Sequence, residues 1–196
     1  MLKIGITGGI GTGKSTVCKI FEILQIPIYY ADYEAKFLYD NNPILKSQLI
    51  HHFGEGIYAE GKFNRNALSE VVFSNEDKLQ LLNTIVHPIV LQHGKNWFEK
   101  QKAPFAIKEA ALLIESGSYH QLDALILVQS PLELRIKRVM HRDEVNESAV
   151  KARIAKQMPE EEKIKFAQYV IQNDEKQLLI PQVQKIYNSI ISLKKI

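Results

Sequence analysis

Apolar residues recur at two different spacings along this chain, and the change of spacing marks its elements. Leu2, Ile4 and Ile6 fall in a short run, LKIGIT, that reads as a buried strand over residues 2–7. After a glycine-rich break, Val17, Ile20, Phe21 and Leu24 return at three- and four-residue intervals, which predicts a helix opening directly out of the break. IPIYYAD (26–32) is a second short apolar run that ends at Asp32, and a helix over YEAKFLYD is expected after it. From about Pro43 to Gln101 the pattern is helical with polar interruptions. Pro43 suits the first turn of a helix over ILKSQLIHHF, and Gly54 suits its end. GEGIYAEGKFNR (54–65) reads as loop. Short amphipathic helices follow through Val72 and Leu82, and His87-Pro88 predicts a break between two of them.

Strand character returns in FAIKEAALLI (105–114), ALILV (124–128) and YVIQN (169–173). Ser130, Pro131 and Glu133 supply a cap, a first-position proline and a capping-box carboxylate for a helix over LELRIKRVMHR. A closing helix carries Ile180, Val183, Ile186, Ile190 and Leu193 on one face. Strands alternating with helices predict an α/β fold, a parallel sheet flanked by helices on both faces. Residues 1–32 and 98–196 are expected to form its core, and residues 33–97 a helical insertion.

Composition narrows the class without naming it. The 196 residues are 45% hydrophobic and 24% charged, enough for one sizeable domain with a real core. No apolar run approaches the roughly 18 residues of a membrane span, and the N-terminus lacks a signal-peptide pattern. The lone Cys18 allows no internal disulfide and fits a reducing cytoplasm. A net charge of +3 does not point to a nucleic-acid partner but suits a polyanionic small substrate.

The break itself carries the chemistry. GGIGTGKS (8–15) fits Gly-x-x-x-x-Gly-Lys-Ser, between a strand and a helix as the phosphate-binding P-loop requires. Glycines let backbone N–H groups turn toward a phosphate, and the helix adds the positive end of its dipole. In that pattern Lys14 bridges the β- and γ-phosphates of a triphosphate, and Ser15 offers a hydroxyl to Mg²⁺. Asp32, at the ligand-binding end of a strand, is placed to take a proton from an attacking hydroxyl or to help hold Mg²⁺. Capping the next helix is an equally simple role for it, and the two are compatible. Arg135, Arg138 and Arg142 share one helix face, and residues 135–156 hold seven Lys/Arg against three Asp/Glu. Such a stretch could form a closing lid that neutralises a transferred phosphoryl group, or an ordinary solvated face. His87 reads as a helix end. Glu115, after AALLI, keeps a motor-type ATPase open as an alternative.

An ordered set of motifs along almost the whole chain resembles the dephospho-coenzyme A kinase family. It comprises IGITGGIGTGKSTV, YYAD, Phe53-Gly54, NRNAL, His87-Pro88, LLIE (112–115), KRVMHRDE (137–144), Gln157 and YVIQN. The resemblance implies ATP- and Mg²⁺-dependent phosphorylation of the ribose 3′-hydroxyl of dephospho-CoA, with no obligate protein partner. It implies that Gly11, Thr12, Gly13, Lys14, Ser15 and Thr16 cradle ATP, with Arg142 a further ATP contact and Asn173 beside the adenine. Asp32 would be the base, Lys14 and Arg138 would act on the transferring group, and a lid would span about residues 138–165. Thr7, Arg65 and His87 would face the acceptor, with the 33–97 insertion covering it. This chain departs from the family at Tyr30, where Asp is frequent, at Gln25, where Gly is frequent, and at Gln168, where Asp is frequent. A same-fold kinase for another acceptor and an ATP-binding regulatory module are the competing expectations.

Overall fold

The computed structural model describes residues 1–73 and 75–193, and the chain separates into two compact units. Met1–Tyr30 and Gln101–Ile196 form one, and Ala31–Lys100 the other.

The first unit is built on five strands: β1 (Leu2–Thr7), β2 (Ile28–Tyr30), β5 (Phe105–Glu109), β6 (Ala124–Gln129) and β7 (Tyr169–Gln172). Their order is β2-β5-β1-β6-β7, and every pairing is parallel. One face is covered by α1 (Lys14–Ile23) and α9 (Leu179–Leu193), whose Val17, Phe21, Val183, Ile186 and Ile190 pack on Ile4, Ile6, Ile107 and Ile126. Ile180 and Leu193, expected on the same buried face of α9, are instead exposed, near the two ends of this 15-residue helix. Leu113, Ile114 and Leu125 form a smaller cluster, joined by Met158 and Phe166. Helices α6 (Leu132–Asp143) and α7 (Glu147–Ile154) close a third cluster around Ile136, Val139 and Val150, with Ile10 against it. A short α8 (Glu160–Lys163) precedes β7.

Two local expectations shift. The apolar run from Phe105 stops being a strand at Glu109, and residues 110–117 run through turns instead. Its partner β1 ends at Thr7, so the ladder closes with Ala110 N–H on the Ile6 carbonyl. Pro131, not Ser130, stands at the N-cap of α6 with extended backbone, so the serine is not a cap. Gln25 adopts φ 60°, the left-handed turn that glycine makes without strain.

The second unit holds α2 (Ala31–Asn41), α3 (Pro43–Phe53), a hairpin of β3 (Tyr58–Ala59) and β4 (Lys62–Phe63), α4 (Arg65–Phe73) and α5 (Glu76–Glu99). Pro43 and Gly54 bound α3 as the pattern requires, with Asn42 Oδ1 accepting from Leu45 N–H. The 54–65 segment is not plain loop: a 3₁₀ turn buries Ile57, and the hairpin returns the chain to Asn64. Nor does Pro88 break the helix. It lies inside α5, which runs for 24 residues. Leu82, Ile85, Val86, Ile89 and Val90 pack into one cluster around Leu38, Leu45, Leu49, Ile57 and Leu68 on both sides of the proline. At roughly 1 kcal/mol for each half-buried side chain, that stripe outweighs the ~3 kcal/mol that an interior proline costs.

Candidate active site

The glycine loop lies between the carboxyl end of central strand β1 and the first turn of α1. Gly11 and Gly13 take φ of 80° and 89°, and Gly13 is the residue from which α1 starts. Neither position has room for a side chain. A Cβ on Gly11 would fall 2.5 Å from the Arg135 carbonyl oxygen, and one on Gly13 would fall 2.2 Å from Asn173 Nδ2. Lys14 turns back over the loop, donating to the carbonyls of Gly8 (3.0 Å) and Gly9 (3.2 Å). Thr12 is fully buried, with its hydroxyl on the Gly9 carbonyl. Ser15 and Thr16 are exposed on the first helical turn, where Thr16 N–H is held by the Gly13 carbonyl at 3.0 Å. Thr7 is buried, its hydroxyl on the Ala111 carbonyl at 3.3 Å.

The arginines of α6 share a face but not a surrounding. Arg135 is 6% exposed; its Nε donates to the Ile10 carbonyl at 3.0 Å and its Nη1 lies 2.9 Å from Glu160 Oε1. Burial of Glu160 raises its carboxyl above the usual range despite the opposing charges of Arg135 and Lys163. Arg138 reaches Ser130 Oγ (3.0 Å), the Asn173 carbonyl (3.4 Å), the Gly11 carbonyl (3.5 Å) and Glu175 (3.0 Å). Ser130 thus anchors the arginine eight residues on. Arg142, one turn further, is turned outward onto Asp143, which also holds Arg153. Asn173 follows β7 and donates from Nδ2 to the Thr12 carbonyl at 2.8 Å. The glycine loop, Arg138 and Asn173 are therefore brought together, while Arg142 pairs within its own helix-turn.

Glu115 does not end a strand of the sheet. Glu115, which follows the apolar run, is bound to the fully buried Lys163 (2.7 Å) and to Met158 N–H (3.1 Å). The carboxylate that ends the strand beside β1 is Glu109, 8% exposed and in register with Ile6 and Tyr30. Nothing in the sequence marks it, because the apolar run continues through Ala110 to Ile114. Tyr30, at the end of β2, donates its hydroxyl to Glu22 at 3.0 Å.

In the second unit, Asp32 is the second residue of α2, inside its first turn. It is not the cap of that helix. Asp32 and Arg65 line one cavity of about 780 Å³ together with Lys36, Tyr39, Asp40 and Phe63. Tyr39 and Phe63 are stacked at 4.3 Å, and Asp40 accepts from Phe63 N–H. Asn64 caps α4, which sets Arg65 as its first helical residue. His87 is an exposed mid-helix residue of α5 and does not line the cavity.

A five-stranded parallel sheet with a glycine-lysine-serine loop at its central strand, and arginines folded back on that loop, defines a P-loop kinase. The particular family follows from comparison with known proteins. The dephospho-CoA kinase family model matches residues 2–178, and the chain belongs to that family, which catalyses the final step of coenzyme A biosynthesis. A dephospho-CoA kinase of Bacteroides fragilis is 37% identical over 186 residues, 94% of this chain and 91% of that protein. Among solved structures, a Thermus thermophilus protein matches with a TM-score of 0.85 at 34% identity, covering 96% of each chain. The dephospho-CoA kinase from Campylobacter jejuni matches at 0.68 and 29% identity, covering 97% of each.

Proposed function

We propose that this chain transfers the γ-phosphoryl group of Mg-ATP to the ribose 3′-hydroxyl of dephospho-CoA, giving coenzyme A and ADP. The acceptor oxygen attacks the γ-phosphorus, the bond from that phosphorus to the β-γ bridging oxygen breaks, and the hydroxyl proton passes to Asp32. The observation that carries the proposal is the glycine loop with Lys14 Nζ folded onto the Gly8 and Gly9 carbonyls. An ammonium group there can follow negative charge as it develops on the β-γ bridging oxygen. Gly11 to Thr16 would hold the phosphates, Asn173 would approach the adenine, and Arg138 would stabilise the transferred group. Arg142 would reach the nucleotide only after leaving Asp143.

Among the described residues no cluster of three or more His, Cys, Asp or Glu is arranged to hold a metal alone. The exposed Ser15 hydroxyl fits Mg²⁺, which takes few protein ligands beside phosphate oxygens and water. When bound, the ion would neutralise charge on the β- and γ-phosphates. Asp32, Arg65 and the stacked Tyr39–Phe63 pair support an acceptor site in the second unit, since they combine a proton acceptor, an anion partner and an apolar wall. Thr7 and His87 are proposed as further acceptor contacts. Among the described residues no helix is long and apolar enough to cross a membrane. With the buried, unpaired Cys18, that supports a small-molecule enzyme of the cytoplasm.

The test is ADP release with Mg-ATP and dephospho-CoA beside AMP, adenosine and pantetheine. Turnover confined to dephospho-CoA, with coenzyme A as product, is expected. Lys14→Ala should lower turnover at least ~100-fold, and Asp32→Asn should lower it while ATP binding survives. Normal turnover in Asp32→Asn would overturn the assignment of the base.

A further inference from the structure

We infer that Gln157 and Arg135 are positioning residues for the nucleotide loop, acting through the two peptide groups on either side of Ile10. Ile10 N–H donates to Gln157 Oε1 at 2.9 Å, and the Ile10 carbonyl accepts from Arg135 Nε at 3.0 Å. A trans peptide is planar, so its C=O and N–H point to opposite sides. Holding Ile10 N–H outward on Gln157 therefore turns the Gly9 carbonyl the other way. There it receives Lys14 Nζ at 3.2 Å, Thr12 Oγ1 at 3.0 Å and Thr12 N–H at 3.3 Å. Holding the Ile10 carbonyl on Arg135 likewise sends Gly11 N–H away from the arginine. One outward grip thus sets the seat of the lysine, and the other aims a loop N–H.

Neither grip is a loose surface contact. Arg135 is 6% exposed and its guanidinium lies directly over Gly9, where a Cβ would meet Nη2 at 2.2 Å. Glu160 faces the same guanidinium at 2.9 Å. Gln157 begins a strap, residues 157–163, that is fastened along its length. Met158 N–H is held by Glu115, Glu160 faces Arg135, and Lys163 is held by Glu115 and the Ala111 carbonyl.

The inference rests on the glycine loop being the nucleotide site proposed above. Its test is the pair Gln157→Ala and Gln157→Glu, the second retaining an acceptor oxygen. Measurements are KM for ATP and for dephospho-CoA, ADP binding by calorimetry without acceptor, and amide hydrogen exchange at Ile10. In Gln157→Ala, ADP affinity should weaken about tenfold, the effect of leaving a partly buried N–H without its acceptor. KM for ATP should rise in parallel, Ile10 exchange should speed up, and KM for dephospho-CoA should stay constant. Gln157→Glu should recover both nucleotide affinity and slow exchange. Unchanged ADP affinity in Gln157→Ala, a parallel rise in both KM values, or no recovery in Gln157→Glu would each overturn the inference. A parent protein that binds ADP but does not phosphorylate dephospho-CoA would instead overturn the proposed acceptor and leave this inference standing.

Discussion

The Glu115–Lys163 pair offers a sharp test of how the strap is held. Lys163 is fully buried, and its ammonium donates to Glu115 at 2.7 Å and to the Ala111 carbonyl at 3.4 Å. Glu115 is one-fifth exposed and also accepts from Met158 N–H. The two single substitutions are therefore unequal. Glu115→Gln keeps an acceptor for Met158 but takes from a buried ammonium the one carboxylate in contact with it, leaving the Glu160 charge and nearby dipoles, a loss of about 3 kcal/mol, the low end for broken buried pairs. Lys163→Met removes the buried charge and fills similar volume, leaving a carboxylate that water can reach; about 1–2 kcal/mol is expected. The double variant, with neither charge, should lie within ~1 kcal/mol of the parent, because an apolar replacement of a buried pair is often neutral. The resulting coupling is about 3 kcal/mol or more.

Urea unfolding followed by circular dichroism at neutral pH measures all four proteins, and acid adds an independent sign. Burial pushes the Glu115 carboxyl up, but the hydrogen bond and charge of Lys163, with backbone N–H groups, outweigh it and hold it below its ordinary 4.5. The ionised form is thus favoured by folding. Its contribution is complete above pH 4.5 and is lost as pH falls through the lower folded value. The deficit of Glu115→Gln should shrink over that interval. Equal losses in the two single variants, or a deficit that persists unchanged into acid, would refute the argument from buried charge.

Two further predictions concern the first unit, one with a control in the second. Gly11→Ala combines φ of 80° with a Cβ 2.5 Å from the backbone oxygen of Arg135; it should lose about 2–4 kcal/mol, whereas Gly56→Ala, which meets nothing within 4 Å, should change thermal unfolding little. Asp143 is held down to about 2, first by the hydrogen bond from Arg142 and then by Arg153; carboxyl NMR should find it titrating there, its stabilising effect present above 3.8 and lost as pH falls toward 2, and a titration near 3.8 would mean the two arginines are not engaged in solution.

The parts of this molecule that could be read from its sequence are those whose causes are local. Eight consecutive residues carry the glycine loop, and the adjoining strand and helix announce themselves in the spacing of Ile4, Ile6, Val17 and Phe21. Expectations failed where a distant partner decides. The end of β5 at Glu109 is set by the length of β1, about a hundred residues earlier, whereas the apolar run alone continues to Ile114, just before Glu115. Pro88 sits in a continuous helix because an apolar stripe on both of its sides is buried by other helices. The same distinction explains the loop's own supports. Gln157 and Arg135 lie 147 and 125 residues from Ile10, and a glutamine just after a helix carries no local mark of its partner. The motif specifies a loop able to bend around an anion. Which way each peptide of that loop faces is decided by side chains from the far end of the chain.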